Sequence, residues 1–508
     1  VQRVDVEKRF RFTDQEDELY AISAGGENVF GPFTLTYQAD YSRNQSDQPS
    51  VEPRFRERDV TATYDNLGID GADFDIFANP ARRSDPFNPA NFERRFITQY
   101  DRFIDDEVMA FKADLQRDMD LFGRAGSIKI GAKYQRRQRS VDQDRFDIDI
   151  DDDAYDVDGD GIVTIADFNP AVPQDTDLNT GFFPNLSLVR SFAREAALAG
   201  RAAGDFTELF AENNGFDYSV EEDVLSGYLM SKFNPTDTIQ VIAGVRVEAT
   251  KWRTEGNDTN IISYDEDISE ALADALDAAL AAGTATFTRA QADAFLADRF
   301  DADGDPLEEL ANVTAVSDRN SYVDFFPSVN VRWDIANTLL ARLSYTTATR
   351  RPDFNQASAI FTTSTSEETD EDDIPAVIND LATARNIVLF ERNVSDLRDP
   401  QLDPLTAHQF DASLAWYPNR NTFFQVAGYY KRISNFILPI VFSGSDLSQI
   451  GVPVGEVVSS DGARTRTVTG GFNSVETFIN GDRATIYGVE LSGQQNFTFL
   501  PGLLSGLF

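Results

Sequence analysis

Hydrophobic and polar side chains alternate along several segments of the chain. In residues 33–41 every second side chain is apolar or aromatic, and the side chains between them are polar. The same period of two recurs in 128–135, 239–250, 329–345 and 410–430. Because successive side chains of an extended strand point to opposite faces, these segments predict strands with one apolar and one polar face. The segment 239–250 is long enough to cross a bilayer, for which a tilted strand needs about 9–11 residues.

Short polar turns join the predicted strands in pairs, and long connections separate the pairs. The turns are 25–32, 122–126, 234–237, 334–337 and 418–421, and the connections are 43–104, 140–223, 251–326, 351–406 and 434–483. Short turns on one side and long loops on the other are typical of outer-membrane barrels, whereas a soluble β-sandwich shows turn signals about every 8–12 residues. The pattern predicts an all-β chain that forms an antiparallel transmembrane β-barrel with long extracellular loops.

The three tryptophans agree with this interpretation. Trp333 and Trp416 directly precede short turns, and Trp252 ends a predicted strand on the long-loop side. Amphipathic rings collect where lipid meets water, so all three are expected at the rims of the apolar face.

Composition narrows the possible functions. With 45 Lys+Arg, 85 Asp+Glu and a net charge of −40, the chain is not expected to bind nucleic acid, which requires positive surface. The absence of Cys and the single His408 exclude disulfides, thiol catalysis and Cys/His zinc sites. Acidic pairs are too abundant to indicate an acid/base site, as in 151–153 and 221–223, so no enzyme is predicted.

Several short motifs, in order, resemble the β-barrel part of TonB-dependent outer-membrane receptors. They are Gly244–Glu248, Phe326–Trp333, Arg342–Tyr345 followed by Arg351-Pro352, Asp399–Pro404, Gly428–Lys431 and Gly488–Leu491. The resemblance is most specific over 224–508. The family usually has Asn where Asp399 stands, and both side chains favour a turn.

The resemblance implies a 22-strand barrel in the outer membrane of a Gram-negative cell. Such a barrel is filled by an N-terminal plug domain and imports bulky nutrients with energy from the TonB complex. No plug-like segment precedes Val1 and the last strands are missing after Phe508, so residues 1–508 are interpreted as an internal barrel fragment. The expected partners are outer-membrane lipid, the nutrient ligand and the TonB complex, the last through the missing plug.

An Asp-rich segment within 140–223 contains a calcium-loop pattern. Such acidic density usually indicates a solvated, partly disordered loop. The six candidate ligands are Asp156, Asp158, Asp160, the carbonyl of Ile162, Thr164 and Asp167, at positions 1, 3, 5, 7, 9 and 12. Gly161 at position 6 permits the sharp turn that aims alternate oxygens at one ion. Only position 12 departs from the usual pattern, with Asp in place of Glu, and a structural Ca²⁺ is expected here.

The connection 251–326 is expected to contain a helical insertion. Residues 268–281 are rich in Ala and Leu and stop near Gly283, and Thr288 with Gln291 forms a capping-box pattern that opens a helix extending to Phe300. This predicts short helices within an extracellular loop.

Two functions remain open from the sequence. The first is an import receptor, whose polar faces, lined by Lys129, Lys133, Arg246, Glu248, Arg332, Asp334 and Arg342, would form a hydrated lumen. The second is a secreted, calcium-stabilised β-rich adhesion or carbohydrate-binding protein. For an importer, the charge of −40 disfavours anionic siderophores and slightly favours neutral oligosaccharides, with cobalamin also possible.

Overall fold

The computed structural model of the chain describes residues 2–65, 73–77, 85–121, 123–148, 156–157, 161–171, 182–208, 210–300, 306–307, 309–367, 369, 371–388, 390–399, 401–443, 457–460, 465–468, 472 and 474–497. Over these ranges the chain is mostly antiparallel β-structure with few helices, as the sequence predicted. None of the helices within them combines the length and the apolar character needed to span a membrane.

The strands are β1 Gln2–Arg9, β2 Phe12–Thr13, β3 Glu16–Phe30, β4 Phe33–Asp47, β5 Ser50–Asp65, β6 Asp73–Phe77, β7 Glu93–Leu121, β8 Arg124–Ile148, β9 Phe206–Glu208, β10 Tyr218–Phe233, β11 Ile239–Ser263, β12 Glu309–Ala336, β13 Leu339–Arg350, β14 Phe361–Glu367, β15 Phe390–Leu397, β16 Leu405–Asn419, β17 Thr422–Ser434, β18 Ile437–Ser443, β19 Val457–Ser460, β20 Thr465–Val468, β21 Ser474–Asn480 and β22 Arg483–Gln495. The helices are α1 Leu186–Ala203, α2 Phe210–Gly215, α3 Glu266–Ala282, α4 Arg289–Leu296 and α5 Leu381–Ile387.

The chain divides into two compact units. The first comprises Val1–Glu18, Gln45–Ile104 and Val141–Phe216, and the second comprises Leu19–Asn44, Asp105–Ser140 and Asp217–Phe508.

An antiparallel meander is the main feature of the sheet. It runs through β3, β4, β7, β8, β10, β11, β12, β13, β16, β17 and β22, each paired with the next. The predicted hairpins are found in it, with turns that include residues 31–32, 123, 234–238, 337–338 and 420–421. The prediction of a turn over 25–32 was too long, because β3 continues through Phe30. Gly25 is a strand residue, where a Cβ would come within 2.7 Å of the Tyr37 carbonyl oxygen.

Several strands extend far beyond their apolar segments. β11 pairs with β12 from Ile239 opposite Trp333 to Ser263 opposite Glu309, so both strands run deep into the predicted connection 251–326. β8 likewise extends to Ile148 and β10 begins at Tyr218, so the connection predicted over 140–223 is shorter than expected. Alternation of apolar and polar side chains identifies only the part of a strand that has an apolar face. Backbone hydrogen bonding continues beyond that part wherever a partner strand is present.

The connections 351–406 and 434–483 contain further strands of the second unit. β14 pairs in parallel with β11 over 258–263 and antiparallel with β15. β15 pairs in parallel with β21, which is antiparallel to β18.

The helical insertion is present within 251–326. Asp265 caps α3, which ends at Gly283 with a φ of 69°. The Thr288–Gln291 capping box opens α4, but α4 ends at Leu296 and not at Phe300. The buried core of this insertion consists of Ile268, Leu272, Ala275, Leu276, Ala279, Phe287, Ala292, Ile378, Ala384 and Val388.

The first unit has a separate aromatic core. Phe168 lies between Phe55 and Phe192, with ring centroids 5.7 and 5.1 Å away. Helix α1, which the sequence analysis did not predict, contributes Phe192 and neighbouring apolar residues to this core. β5 is its central strand, pairing with β1, β2, β6 and β7.

Candidate functional site

One face of the meander exposes its apolar side chains. Leu225, Leu343 and Leu491 expose 60%, 55% and 77% of their surface. The same face carries Val323, Phe325, Val329, Phe410, Leu414, Val426 and Val489, which are also exposed. Soluble proteins rarely expose apolar patches larger than a few hundred Å². This face is therefore suited to contact with an apolar phase, and no second layer of the described residues covers the side chains named here.

Aromatic residues mark the short-turn end of this apolar face. Trp333 and Trp416 are about half exposed, and Trp416 stacks on Phe424 with ring centroids 6.0 Å apart. Both tryptophans lie a few residues before a short turn. The predicted position of these two rings at the short-turn rim of the apolar face is confirmed, and their level at a water–lipid boundary stays a prediction.

The prediction for Trp252 was wrong. Its side chain is 5% exposed and lies on the polar face, where its indole Nε1 donates to the Tyr322 hydroxyl at 3.2 Å. Its ring packs edge-on against Phe354, with centroids 5.3 Å apart. Trp252 is separated from Glu248 by an even number of positions, so the pleat of β11 places both side chains on the same face.

An ion-pair network occupies the polar face of β8, β10 and β11. The guanidinium group of Arg351 contacts Glu248, and its Nε lies 3.5 Å from Glu222 Oε1 and 3.3 Å from Thr250 Oγ1. Glu222 Oε2 lies 3.5 Å from Arg137 Nη1. The Glu222 and Glu248 side chains are only 1% and 9% exposed, so these carboxylates depend on the arginines to offset the cost of removing charge from water.

The network holds the segment after β13 against the sheet. Arg351 belongs to that segment, as does Phe354, whose ring centroid is 4.6 Å from the Arg137 guanidinium carbon. On β12, Asp324 Oδ2 is buried and has no hydrogen-bond partner among the described residues. Glu222 Oε1 is likewise buried without a hydrogen bond among the described residues, so the site retains acceptors that a proton, a water molecule or a cationic group can satisfy.

A second buried carboxylate lies further along the polar face. Asp114 Oδ1 accepts a hydrogen bond from the Tyr228 hydroxyl at 2.7 Å, and Oδ2 lies 3.0 Å from Lys112 Nζ and 3.5 Å from Lys129 Nζ. Gly131 leaves the space for this arrangement, because a Cβ there would come within 2.5 Å of Tyr228 Cε1 and even closer to Asp114.

The charged residues predicted for the polar face mostly pair within it. Lys129 joins the Asp114 cluster, Arg246 Nε lies 2.5 Å from Glu248 Oε1, and Arg332 Nη2 lies 3.1 Å from Asp334 Oδ1. Lys133 Nζ donates to Gln135 Oε1 at 2.7 Å, and Arg342 lies directly opposite Arg332.

Three important members of these clusters were not singled out as polar-face residues from the sequence. Asp114 and Glu222 occupy polar positions on β7 and β10, so counting the alternation further along each strand would have found them. Arg351 follows β13, and strand periodicity carries no information about its position.

The calcium-like loop is described in part. Asp158 and Asp160 lie outside the described residues, and among the described residues no group of three acidic or histidine side chains is arranged to hold a metal ion. Asp156 Oδ2 accepts a hydrogen bond from the Gly161 N–H at 2.7 Å, and Gly161 has a φ of 89°. Asp167 accepts from the Val157 N–H at 3.0 Å and from the Thr164 N–H at 2.8 Å. The carboxylates of positions 1 and 12 thus bring the two ends of the loop together.

The second half of this loop is packed, in contrast to the solvated loop expected from its acidity. The Arg94 N–H donates to the Val163 carbonyl at 2.8 Å, and the Ile165 N–H donates to the Phe92 carbonyl at 3.2 Å. Val163 and Ile165 are fully buried in the core of the first unit. The second half of the loop is packed because burying the apolar side chains that lie between its acidic positions is favourable.

Comparison with known proteins gives a family match over most of the chain. Residues 36–507 match the family described as "TonB dependent receptor-like, beta-barrel". No curated protein is similar enough to match the chain.

The solved structures that match the chain are distant from it in sequence. One is the alcaligin outer-membrane receptor FauA from Bordetella pertussis, with 11% identity over 95% of this chain and 50% of that one and a TM-score of 0.32. Another is the ferric-catecholate import receptor Fiu from K12 E. coli, with 8% identity, 92% and 45% coverage and a TM-score of 0.35. The RagAB peptide transporter has 11% identity, 95% and 34% coverage and a TM-score of 0.40. The chain spans half or less of the length of these three proteins.

Proposed function

Because the chain belongs to the family of TonB-dependent receptor β-barrels, we propose that it forms part of the wall of an outer-membrane importer in a Gram-negative cell. In this proposal the barrel takes up a bulky nutrient, and the TonB complex supplies energy through a plug domain of the kind such receptors carry. The observation that supports it most is the exposed apolar face of the meander, on which Leu225, Leu343 and Leu491 each expose more than half of their surface. The opposite, polar face would line the lumen.

The family as a whole consists of transporters and not enzymes. The charged side chains of the polar face agree with a role as a hydrated wall. Glu222 and Glu248 pair with arginines that include Arg351, and Asp114 pairs with two lysines. Such pairs balance positive and negative groups on neighbouring strands. A wall lined by them stays hydrated but does not strongly attract either anionic or cationic ligands.

We propose a neutral oligosaccharide as the preferred cargo, ahead of a siderophore or cobalamin. The net charge of −40 repels anions at long range, and the paired charges of the lumen leave little local excess of positive charge to reverse this. A neutral, hydroxyl-rich ligand suffers no such repulsion and can exchange hydrogen bonds with the polar wall.

The alternative is a secreted, calcium-stabilised adhesion or carbohydrate-binding protein. It is disfavoured because a soluble protein would have to cover the apolar face of β10–β13, β16, β17 and β22, on which many side chains are exposed.

Cell fractionation combined with uptake measurements tests the import proposal. The full-length product should require detergent for extraction from the outer-membrane fraction, and cells that express it should accumulate a labelled neutral oligosaccharide only when TonB is present. A ferric siderophore offered in parallel should accumulate less. Recovery in the culture medium without detergent would overturn the membrane assignment, and TonB-dependent uptake of the siderophore alone would overturn the choice of cargo.

We propose further that the loop 156–167 binds a structural Ca²⁺. The ligands would be Asp156, Asp158, Asp160, the Ile162 carbonyl, Thr164 and Asp167, an all-oxygen set suited to a hard cation. The turn at Gly161 and the proximity of Asp156 to its N–H support this assignment. The ion would tie the acidic part of the loop to the packed segment 161–168.

A conservative substitution separates metal binding from loop folding. Asp156→Asn keeps an acceptor for the Gly161 N–H but removes the charge, so it should weaken Ca²⁺ binding measured by calorimetry about tenfold or more. Asp142→Asn, which changes an exposed carboxylate of β8, should leave the affinity unchanged. Equal Ca²⁺ affinity of wild type and Asp156→Asn, or no binding to either, would overturn the proposal.

A further inference from the structure

Four aromatic side chains form one continuous row across the apolar face, at its long-loop end. Tyr345 is directly opposite Phe410, Phe410 is opposite Tyr430, and Tyr430 is opposite Tyr487. The Tyr345 and Phe410 ring centroids are 4.7 Å apart, and those of Phe410 and Tyr430 are 6.4 Å apart. Directly paired residues of antiparallel strands point to the same side. The row therefore forms a belt at one level of the sheet.

The two rows beyond this belt contain two arginines, one histidine and five hydroxyl side chains, and no carboxylate. The first row is Thr347, His408, Arg432 and Thr485, and the second is Thr349, Thr406, Ser434 and Arg483. These eight positions on one face carry two arginines and no acid, whereas acidic residues outnumber basic ones 85 to 45 in the whole chain. On β13, β16, β17 and β22 the apolar face thus ends in a strip that favours negative charge.

Both arginines of this strip are exposed, and the part of the chain that the structure describes provides neither with an ion pair or a side-chain hydrogen bond. This differs from the arginines of the polar face, such as Arg246 and Arg332, which pair with Glu248 and Asp334. Two guanidinium groups without partners on one edge can bind an external anion.

An apolar groove lies on the other side of the aromatic belt. It has a volume of about 780 Å³, and its lining includes Leu343, Tyr345, Phe410, Tyr430 and Val489. Gly428 leaves it open, because a Cβ there would have no neighbour closer than the Gly488 carbonyl oxygen at 3.8 Å. The groove and the cationic strip are adjacent, separated only by the aromatic row.

We infer that this edge binds the phosphate group of a membrane lipid, with the acyl chain of the lipid in the groove and the headgroup on Arg432 and Arg483. This inference rests on the proposed function, since it requires the apolar face to lie in a bilayer. A guanidinium group forms paired hydrogen bonds with phosphate oxygens, and the threonine and serine hydroxyls of the strip can donate further ones. An amphipathic lipid is the occupant because one end of the site is apolar and the other is cationic.

Lipid retention by the purified full-length protein tests the inference. The probes are phosphatidic acid and diacylglycerol with identical acyl chains, quantified by native mass spectrometry, and inorganic phosphate is a third arm. The wild type should retain phosphatidic acid in preference to diacylglycerol and should not retain inorganic phosphate. Arg432→Ser/Arg483→Ser should lower the preference by about fivefold for each arginine removed. Serine is chosen because Ser434 already lies in this strip.

Arg420→Ser is the matched control, because Arg420 is an exposed arginine in the short turn at the other end of the sheet. It should keep the full preference. Equal retention of phosphatidic acid by the wild type and the double variant would overturn the inference, as would equal retention of the two lipids by the wild type. Inorganic phosphate bound as well as the lipid would also overturn it. Outer-membrane fractionation of the same proteins separates the two proposals, because a wild type that partitions into the membrane without lipid preference contradicts only the lipid site.

Discussion

Arg299 and Glu367 form an ion pair in which the two side chains are only 2% and 1% exposed. Arg299 Nη1 also donates to Ser269 Oγ at 3.1 Å, and Glu367 Oε2 accepts from the Asp265 N–H at 3.0 Å. The pair therefore connects the end of β14 to the first turn of α3 and to the residues after α4. It fixes the helical insertion at a defined place in the second unit.

Removing one partner of this pair should loosen the insertion. Arg299→Met leaves the Glu367 carboxylate buried without its counter-charge, a change that typically costs about 3–5 kcal/mol. Limited proteolysis should then cut within 266–300 much faster than in the wild type. Arg289→Met, which removes an exposed pair with Asp277, should change the cleavage rate little. Equal cleavage rates of Arg299→Met and wild type would show that the insertion is held by its apolar core alone.

Glu57 should make the first unit sensitive to pH. Burial, with Asp85 and Glu93 nearby, raises the pKa of Glu57 from its ordinary value of 4.5 to about 7. The folded state therefore binds more protons than the unfolded state between about pH 4.5 and pH 7, and stability falls as the pH rises through this interval. Glu57→Gln keeps an acceptor for the Asp85 N–H. Because glutamine does not titrate, this variant should no longer lose the free energy of unfolding, about 2 kcal/mol, that the wild type loses as the pH rises.

Hydrogen exchange of the β5 amides at pH 5 and pH 8, corrected for intrinsic exchange rates, measures this effect. The wild type should open more readily at pH 8, and Glu57→Gln should show a much smaller difference. Glu195→Gln, an exposed change on α1, should behave like the wild type. If the exchange of the β5 amides in Glu57→Gln depended on pH as strongly as in the wild type, another titratable group would be responsible.

Gly131 should tolerate no side chain. An added Cβ would clash with Asp114 and with the Tyr228 ring, so Gly131→Ala should displace the buried hydrogen bond between them and destabilise the sheet by about 1–3 kcal/mol. Gly227→Ala on the adjacent strand is the matched control, because its Cβ would meet only the Gly131 carbonyl oxygen at 3.8 Å. Thermal unfolding in detergent should show a lower midpoint for Gly131→Ala than for Gly227→Ala, and equal midpoints would contradict the packing described here.

The sequence predicted the meander well because the side-chain alternation and the short turns that specify it involve residues close together in the chain. Alternation along 239–250 identifies β11, and a short polar turn fixes its antiparallel neighbour β10. The far ends of β11 and β12 were missed because their pairing is a backbone property that polar side chains such as Asn257 and Thr259 do not reveal. The parallel contact of β14 with β11 joins residues about a hundred positions apart, and no local pattern encodes it.

The candidate site was predictable only in part for a related reason. Strand parity places Arg246, Glu248 and Trp252 on one face, although the preference of tryptophan for interfaces suggested otherwise for the last. The role of Arg351 depends on how an irregular segment folds back over β11, which follows from tertiary contacts. The calcium loop stays a prediction, since its motif is local but two of its ligands lie outside the described residues.

The central claim is that the exposed apolar face contacts lipid, and site-directed spin labelling tests it most directly. The chain has no native Cys, so single cysteines can be placed one at a time along 339–346 of β13 without background labelling. In reconstituted bilayers, labels at Leu339, Ala341, Leu343 and Tyr345 should be accessible to oxygen dissolved in lipid. Labels at Leu340, Arg342, Ser344 and Thr346 should instead be shielded from it and, where water reaches the polar face, accessible to a water-soluble nickel complex. Nickel accessibility at Leu343 equal to or greater than that at Ser344, or no alternation along the strand, would contradict the account.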